Sequence, residues 1–266
     1  MDLTLLQALL AALSGAAVGF SLGLVGGGGS ILAVPLLYYV VGIGSPHLAI
    51  GTSAVAVAAS AAMGLANHAR AGTVKWPCAL TFAAAGVIGA AVGAAVGKAI
   101  DGHLLLGLFG LLMIAVGASM LLPRRGGDHP EVQLDRTSAR RLLPVLAIAG
   151  LIVGFASGFF GIGGGFLIVP GLIAATAMPI VNAIGSSLVS VTAFGATTAA
   201  SYALSGLVDW TVALIFIVGG AAGTVAGTRL SHALAGRGRT LTLVFAAIVI
   251  VAGIYVALRA FMQVSA

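Results

Sequence analysis

The chain has 266 residues, of which 60% are hydrophobic and 7% charged, with a formal net charge of +6 and one cysteine. A soluble domain carries about 25% charged residues, so this chain cannot clothe a globule in polar side chains and is an integral membrane protein. The lone Cys78 excludes an internal disulfide or a cysteine metal cluster, and the basic residues lie in short loops between apolar runs, where the positive-inside rule puts them and not where nucleic acid would need them.

The N-terminus lacks the positive region of a cleaved signal peptide, since Asp2 and no Lys or Arg precedes the first apolar run. The runs then come in two sets of five. The first half has segments at about 3–24, 31–43, 48–66, 77–97 and 103–122, and the second at about 143–159, 166–177, 183–203, 211–228 and 241–258. A spanning helix needs roughly 20 residues, so the second segment of each set is short. Each follows a glycine cluster, Gly26-Gly27-Gly28-Gly29-Ser30 in the first half and Gly161-Ile162-Gly163-Gly164-Gly165 in the second. Consecutive glycines are poor helix formers, and irregular backbone at membrane depth survives only where it is buried or lines a cavity. The first two segments of each half are therefore expected to form a broken or hairpin unit that turns within the membrane. Gly86, Gly89 and Gly93, with their counterparts Gly220, Gly223 and Gly227, recur at helical spacing and predict close helix packing instead.

The halves are copies. Residues 15–35 laid over 150–170 without a gap give 11 identities in 21 positions. At an offset of 134, Gly51-Thr52-Ser53 falls on Gly185-Ser186-Ser187, His68 on Tyr202, and Gly72-Thr73-Val74-Lys75-Trp76 on Gly206-Leu207-Val208-Asp209-Trp210. The chain reads as an all-α membrane protein with a first transmembrane repeat over 1–122, a charged cytoplasmic linker over 123–142 and a second repeat over 143–266. Eight of the 18 charged residues fall in that linker, which marks it as the cytoplasmic loop. Counting crossings from it puts Arg70, Lys75 and Arg229 inside, the Asp209 loop outside, and both termini outside. The repeats then run in opposite senses, the inverted topology that many secondary transporters use for alternating access.

No Asp, Glu, Lys or Arg falls deep inside a predicted span, so a site built on intramembrane carboxylates is not on offer. Backbone dipoles and hydroxyls must hold the substrate. A helix beginning at Ser30 or Gly165 points free N–H groups and a partial positive end at whatever faces it, which suits an anion. The expected substrate-binding set is Gly28, Gly29 and Ser30 from the first break, Gly163, Gly164 and Gly165 from the second, and the hydroxyls of Thr52, Ser53, Ser186 and Ser187. The competing role for those hydroxyls is N-capping or bonding to the preceding turn. His68 and its counterpart Tyr202 are candidates for a proton or substrate contact, with packing as the competing role. Thr197 and Thr198 could line a path, although mid-helix hydroxyls more often bond their own backbone. The lysine of a phosphate loop is missing before Ser30, the second glycine cluster lacks the strand and acid of a dinucleotide site, and no catalytic or metal-ligand set is visible. Neither an enzyme, a cofactor nor a nucleic-acid partner is expected. The expected partners are a small anion and the bilayer, with homo-oligomerisation left open.

Through the paired glycine breaks ending in Pro35 and Pro170, the Gly51-Thr52-Ser53 and Gly185-Ser186-Ser187 pair, and the two turns ending in Trp76 and Trp210, the chain resembles the TauE/SafE, or sulfite exporter, family over essentially its full length. That resemblance implies transport of sulfite, thiosulfate, sulfonates such as sulfoacetate, or related small anions, in the bacterial inner membrane. The reading is a secondary transporter that exports a small sulfur-containing anion by alternating access. Import of another small anion such as a carboxylate, and a non-transporting membrane scaffold, stay open beside it. The membrane potential, worth about 2.3 kcal/mol per charge per 100 mV, would by itself expel an anion. Bisulfite export coupled through His68 is the proton-linked version.

Overall fold

The computed structural model describes residues 4–25, 27–121, 136–161, 165–233 and 238–264. These form α1 (Leu5–Val25), a 3-10 stretch (Gly27–Leu32), α2 (Ala33–Pro35), a π-helical turn (Leu36–Val40), α3 (Pro46–Arg70), α4 (Trp76–Ala99) and α5 (Gly102–Leu121) in the first half. The second half supplies α6 (Arg136–Phe160), α7 (Gly165–Thr176), α8 (Ile180–Ala203), α9 (Trp210–Ala233) and α10 (Gly238–Val264). There is no strand among the described residues. Among the described residues eight helices are long and apolar enough to cross a membrane, while Gly29–Val40 and Leu167–Thr176 are shorter.

Several helices outrun the apolar segments at polar ends. α6 begins at Arg136, ahead of the predicted 143, so Arg136, Arg140 and Arg141 leave the expected linker and join a helix. Arg, Ala and Leu are good helix formers, and backbone hydrogen bonding has no reason to stop where the apolar run does. The rest of the predicted linker, with Arg124, Arg125, Asp128, Glu131 and Asp135, lies outside the described residues. Loop side chains set the starts of other helices. Ser45 caps α3 by accepting from the Leu48 amide at 3.2 Å, with Pro46 in the first turn. Asp101 accepts from the amides of His103 and Leu104 at 2.9 and 3.0 Å, and Asp209 from that of Val212 at 3.0 Å.

Packing is exchanged between the halves. α1 lies on α9 and α4 on α6, while α3 pairs with α8 and α5 with α10. Swapping the halves turns the first pairing into the second and leaves the other two unchanged. Small residues make the exchanged contacts possible. A Cβ on Gly15 or Gly19 would overlap the α9 backbone at Phe216 or Gly220, and one on Gly89 or Gly93 would overlap α6 at Leu151 or Phe155. Gly223 and Gly227 press in the same way on Ala16 and Phe20, so the helical-spacing glycines do pack as expected. In lipid, where apolar burial does not drive helices together, such close backbone contact is a principal source of association. The outer faces stay apolar, as at Ile148 and Ile152 of α6 and Leu214 and Val218 of α9, all of them exposed, which is the surface a bilayer covers.

Candidate functional site

The third helix of each half ends in the same turn. In α3 the amides of Gly72 and Thr73 return to the carbonyls of Ala69 and His68, and in α8 those of Gly206 and Leu207 return to Ala203 and Tyr202. Gly72 and Gly206 hold φ of 68° and 69°, the left-handed value that this C-terminal motif requires and glycine adopts without strain. Each turn is read by the other half. The Lys75 amide donates to Ser186 Oγ at 2.9 Å, and the Asp209 amide donates to Thr52 Oγ1 at 3.0 Å. Lys75 and Asp209 each stand just before a Trp that opens a helix, α4 and α9. Thr52 and Ser186 thus cap helices of the opposite repeat, and each keeps its own O–H proton. Gly51 and Gly185 precede them because the turn comes so close: a Cβ on Gly51 would overlap the Leu207 carbonyl, and one on Gly185 would sit 2.8 Å from Thr73 Oγ1.

Ser53 and Ser187 bond back to the preceding turn, donating to the Ile50 and Ile184 carbonyls at 2.8 and 2.7 Å. Ser53 Oγ also lies 3.4 Å from the Gly161 carbonyl, tying α3 to the second glycine break. All four hydroxyl residues are fully buried.

Of the break residues, Gly165 starts α7 as expected and is buried. Gly163 and Gly164 lie outside the described residues. In the first half, Gly28, Gly29 and Ser30 sit inside the 3-10 stretch and not at the start of a regular α-helix. Gly29 is pressed onto α1, where a Cβ would overlap the backbone of Ser21 and Leu22; Ser30 is fully buried. The two units that follow the breaks meet, since α7 packs against the 3-10 stretch.

His68 belongs to one turn of the pair and Tyr202 to the other. His68 Nδ1 lies 2.9 Å from Thr73 Oγ1, whose own proton can go to the His68 carbonyl at 3.1 Å; Asn182 donates to the Thr73 carbonyl at 2.9 Å. Tyr202 is fully buried. His47 stacks on its ring at 6.4 Å between centroids, and Lys98 Nζ lies 5.7 Å from the ring centre. Lys98 Nζ also donates to the Ser201 carbonyl and Ser205 Oγ, both at 2.9 Å. Among the described residues, no group of three or more His, Cys, Asp or Glu side chains is placed to hold a metal ion.

A profile described as sulfite exporter TauE/SafE matches residues 11–256. The chain belongs to this family. Among curated relatives, a probable membrane transporter protein of Xylella fastidiosa strain 9a5c is 53% identical over 92% of this chain and 93% of its own length. One from Haemophilus influenzae is 28% identical over 74% of each chain, and YunE of Bacillus subtilis, also a probable membrane transporter protein, is 26% identical over 86% of this chain and 90% of its own. No solved structure matches significantly. Family and fold together make this a multi-pass membrane transporter.

Sequence reasoning singled out Thr198 and Tyr202 but passed over two further buried hydroxyls, Ser157 and Ser190. Ser157, Ser190 and Thr198 have side-chain oxygens without a hydrogen-bond partner among the described residues, as does Tyr202. Composition alone gave no signal for them. What marks Thr198 apart from Thr197 is direction, because Thr197 bonds the Ala193 carbonyl at 2.8 Å.

Proposed function

We propose that the chain exports a small sulfur-containing anion, such as sulfite, thiosulfate or an organosulfonate, across the inner membrane by alternating access. The observation that carries this reading is the meeting of the two post-break units inside the protein, where α7, which opens at the buried Gly165, packs against the 3-10 stretch that holds Gly28, Gly29 and Ser30. The N–H groups at the start of α7 favour negative charge. No acidic residue lies within the described spans; Asp101 and Asp209 stand just before helices. Such a site would therefore hold an anion through dipoles and hydroxyls alone, and let it leave readily.

The repeats are taken as inverted across the membrane. Supporting this, the equivalent helices α3 and α8 run antiparallel: Gly51 near the start of α3 meets the Tyr202–Leu207 end of α8, and Gly185 near the start of α8 meets the His68–Thr73 end of α3. The Arg-rich start of α6 is assigned to the cytoplasm and both termini to the periplasm.

Anion flux in proteoliposomes under an imposed potential tests the function, comparing sulfite, thiosulfate, sulfoacetate and a sulfur-free carboxylate. Potential-driven movement of one sulfur anion, reduced by Gly165→Leu in folded protein, is the expected result. Movement of the carboxylate alone would replace the substrate, and no movement of any of them would overturn the reading. For proton-linked bisulfite export, His68→Ala must remove the pH dependence of flux.

A further inference from the structure

Among the described residues five buried hydroxyl oxygens have no hydrogen-bond partner, that of the half-buried Tyr39 and those of four fully buried residues. Most hydroxyls in these helices satisfy themselves: Thr192 and Thr197 of α8 bond the carbonyls four residues back, both at 2.8 Å, and Thr176 of α7 does so at 2.7 Å. Ser190, Thr198 and Tyr202, on the same α8, and Ser157 on α6 do not, although the side chain of each is fully buried. Leaving a buried donor without a partner is costly, and in native proteins such a group usually marks a water, an ion or a function. Three of them share one face of α8. Ser190, Phe194, Thr198 and Tyr202 follow at intervals of four residues and so form one slowly winding row on α8. At 1.5 Å per residue the row runs about 18 Å, more than half the roughly 30 Å of hydrocarbon. Ser190 falls near the middle of the Asn182–Ala203 span. Ser157 is one turn beyond Val153, which meets α7 at Gly171, so it faces the post-break unit.

Only the Tyr202 end of the row has a polar counterpart in the first half. At the offset of 134, Ser190, Thr198 and Tyr202 correspond to Ala56, Gly64 and His68, and at 135 Ser157 corresponds to Leu22. The scaffold is duplicated, but the hydroxyls of Ser157, Ser190 and Thr198 are not.

We infer that the α8 row of Ser190, Thr198 and Tyr202, joined by Ser157, is the wet lining along which a small oxyanion crosses the protein. Neutral O–H donors suit that ligand. They replace part of its hydration without a fixed cation that would trap it, and Lys98, held beside Tyr202, supplies positive charge at one end only. The substrate part of this inference rests on the transport reading above; the wetness of the row does not.

The single native cysteine makes both parts testable. In a Cys78→Ala background, Ser190→Cys and Thr198→Cys are compared with Thr192→Cys, whose position bonds its own backbone, for reaction with a small charged methanethiosulfonate in proteoliposomes. The expected result is at least about tenfold faster labelling at 190 and 198, slowed by sulfoacetate, together with a loss of flux of about tenfold or more in Ser190→Ala and Thr198→Val but not in Thr192→Val. Labelling at 190 and 198 no faster than at 192 overturns the lining whatever the substrate. Fast labelling with undiminished flux in Ser190→Ala and Thr198→Val overturns its role in transport. Fast labelling in a protein that moves none of the sulfur anions supports the lining and sinks the substrate reading instead.

Discussion

At the residue scale, the duplicated motif of each repeat has a mechanical explanation. Thr52 and Ser186 accept amides that open helices of the opposite half, so Thr52→Ala and Ser186→Ala should each cost about 0.5–2 kcal/mol, as lost N-caps do. The two costs should add in detergent melts, because the sites lie at opposite ends of the α3–α8 pair, and Thr52→Ser should retain most of the stability. Gly72→Ala and Gly206→Ala meet no neighbouring atoms, yet each forces a Cβ into the left-handed region at about 1–2 kcal/mol; equal losses in the two melts would match their identical roles. Asp101 responds to acid. The Leu104 amide foremost, then that of His103, with the imidazoles of His103 and His47, holds its carboxyl below the usual carboxylate range. Its folded pKa is depressed, so its stabilising share is full above about pH 3.9 and is lost as the pH falls through the folded value. Asp101→Asn, which keeps an acceptor without the charge, should flatten that part of a melting-temperature series in acid.

At the element scale, the exchanged pairs α1–α9 and α4–α6 hold the two halves to each other. Backbone meets backbone at Gly19, Gly223, Gly93 and Gly154, and no side chain stands ready to move aside. Gly223→Leu or Gly154→Leu should therefore destabilise by at least the ~1–3 kcal/mol of an overpacked core, seen as lower yield of monodisperse protein and a lower melting temperature. Gly42→Ala, at a positive φ of 78° but in open space, should cost less than either. That Gly89, Gly93, Gly223 and Gly227 pack closely was legible in the sequence from the spacing of small residues, but which helices they join was not. The 3-10 and π turns between Gly27 and Val40 were not, because a glycine cluster says that a regular helix fails and not what replaces it.

At the scale of the whole molecule, the sidedness has a direct check in the Cys78→Ala background. Leu204→Cys, at a position that is 91% exposed, should label from the periplasmic face and Arg125→Cys from the cytoplasmic face; labelling of both from one side would remove the inverted arrangement. The sequence by itself determined that this is a helical membrane protein, that it is duplicated, where its helices break and which family it belongs to. Those properties are written in composition, in hydrophobic run length and in local glycine and proline chemistry, each a property of neighbouring residues. Only the tertiary structure decided that Thr52 and Ser186 cap across the repeats, that α1 and α6 change partners between halves, and that Ser157, Ser190 and Thr198 are left without hydrogen-bond partners. A hydroxyl carries the same atoms whether it bonds its own helix, a distant amide or a passing anion. What differs is which element lies opposite it, and that is settled only when residues more than a hundred positions apart are packed together.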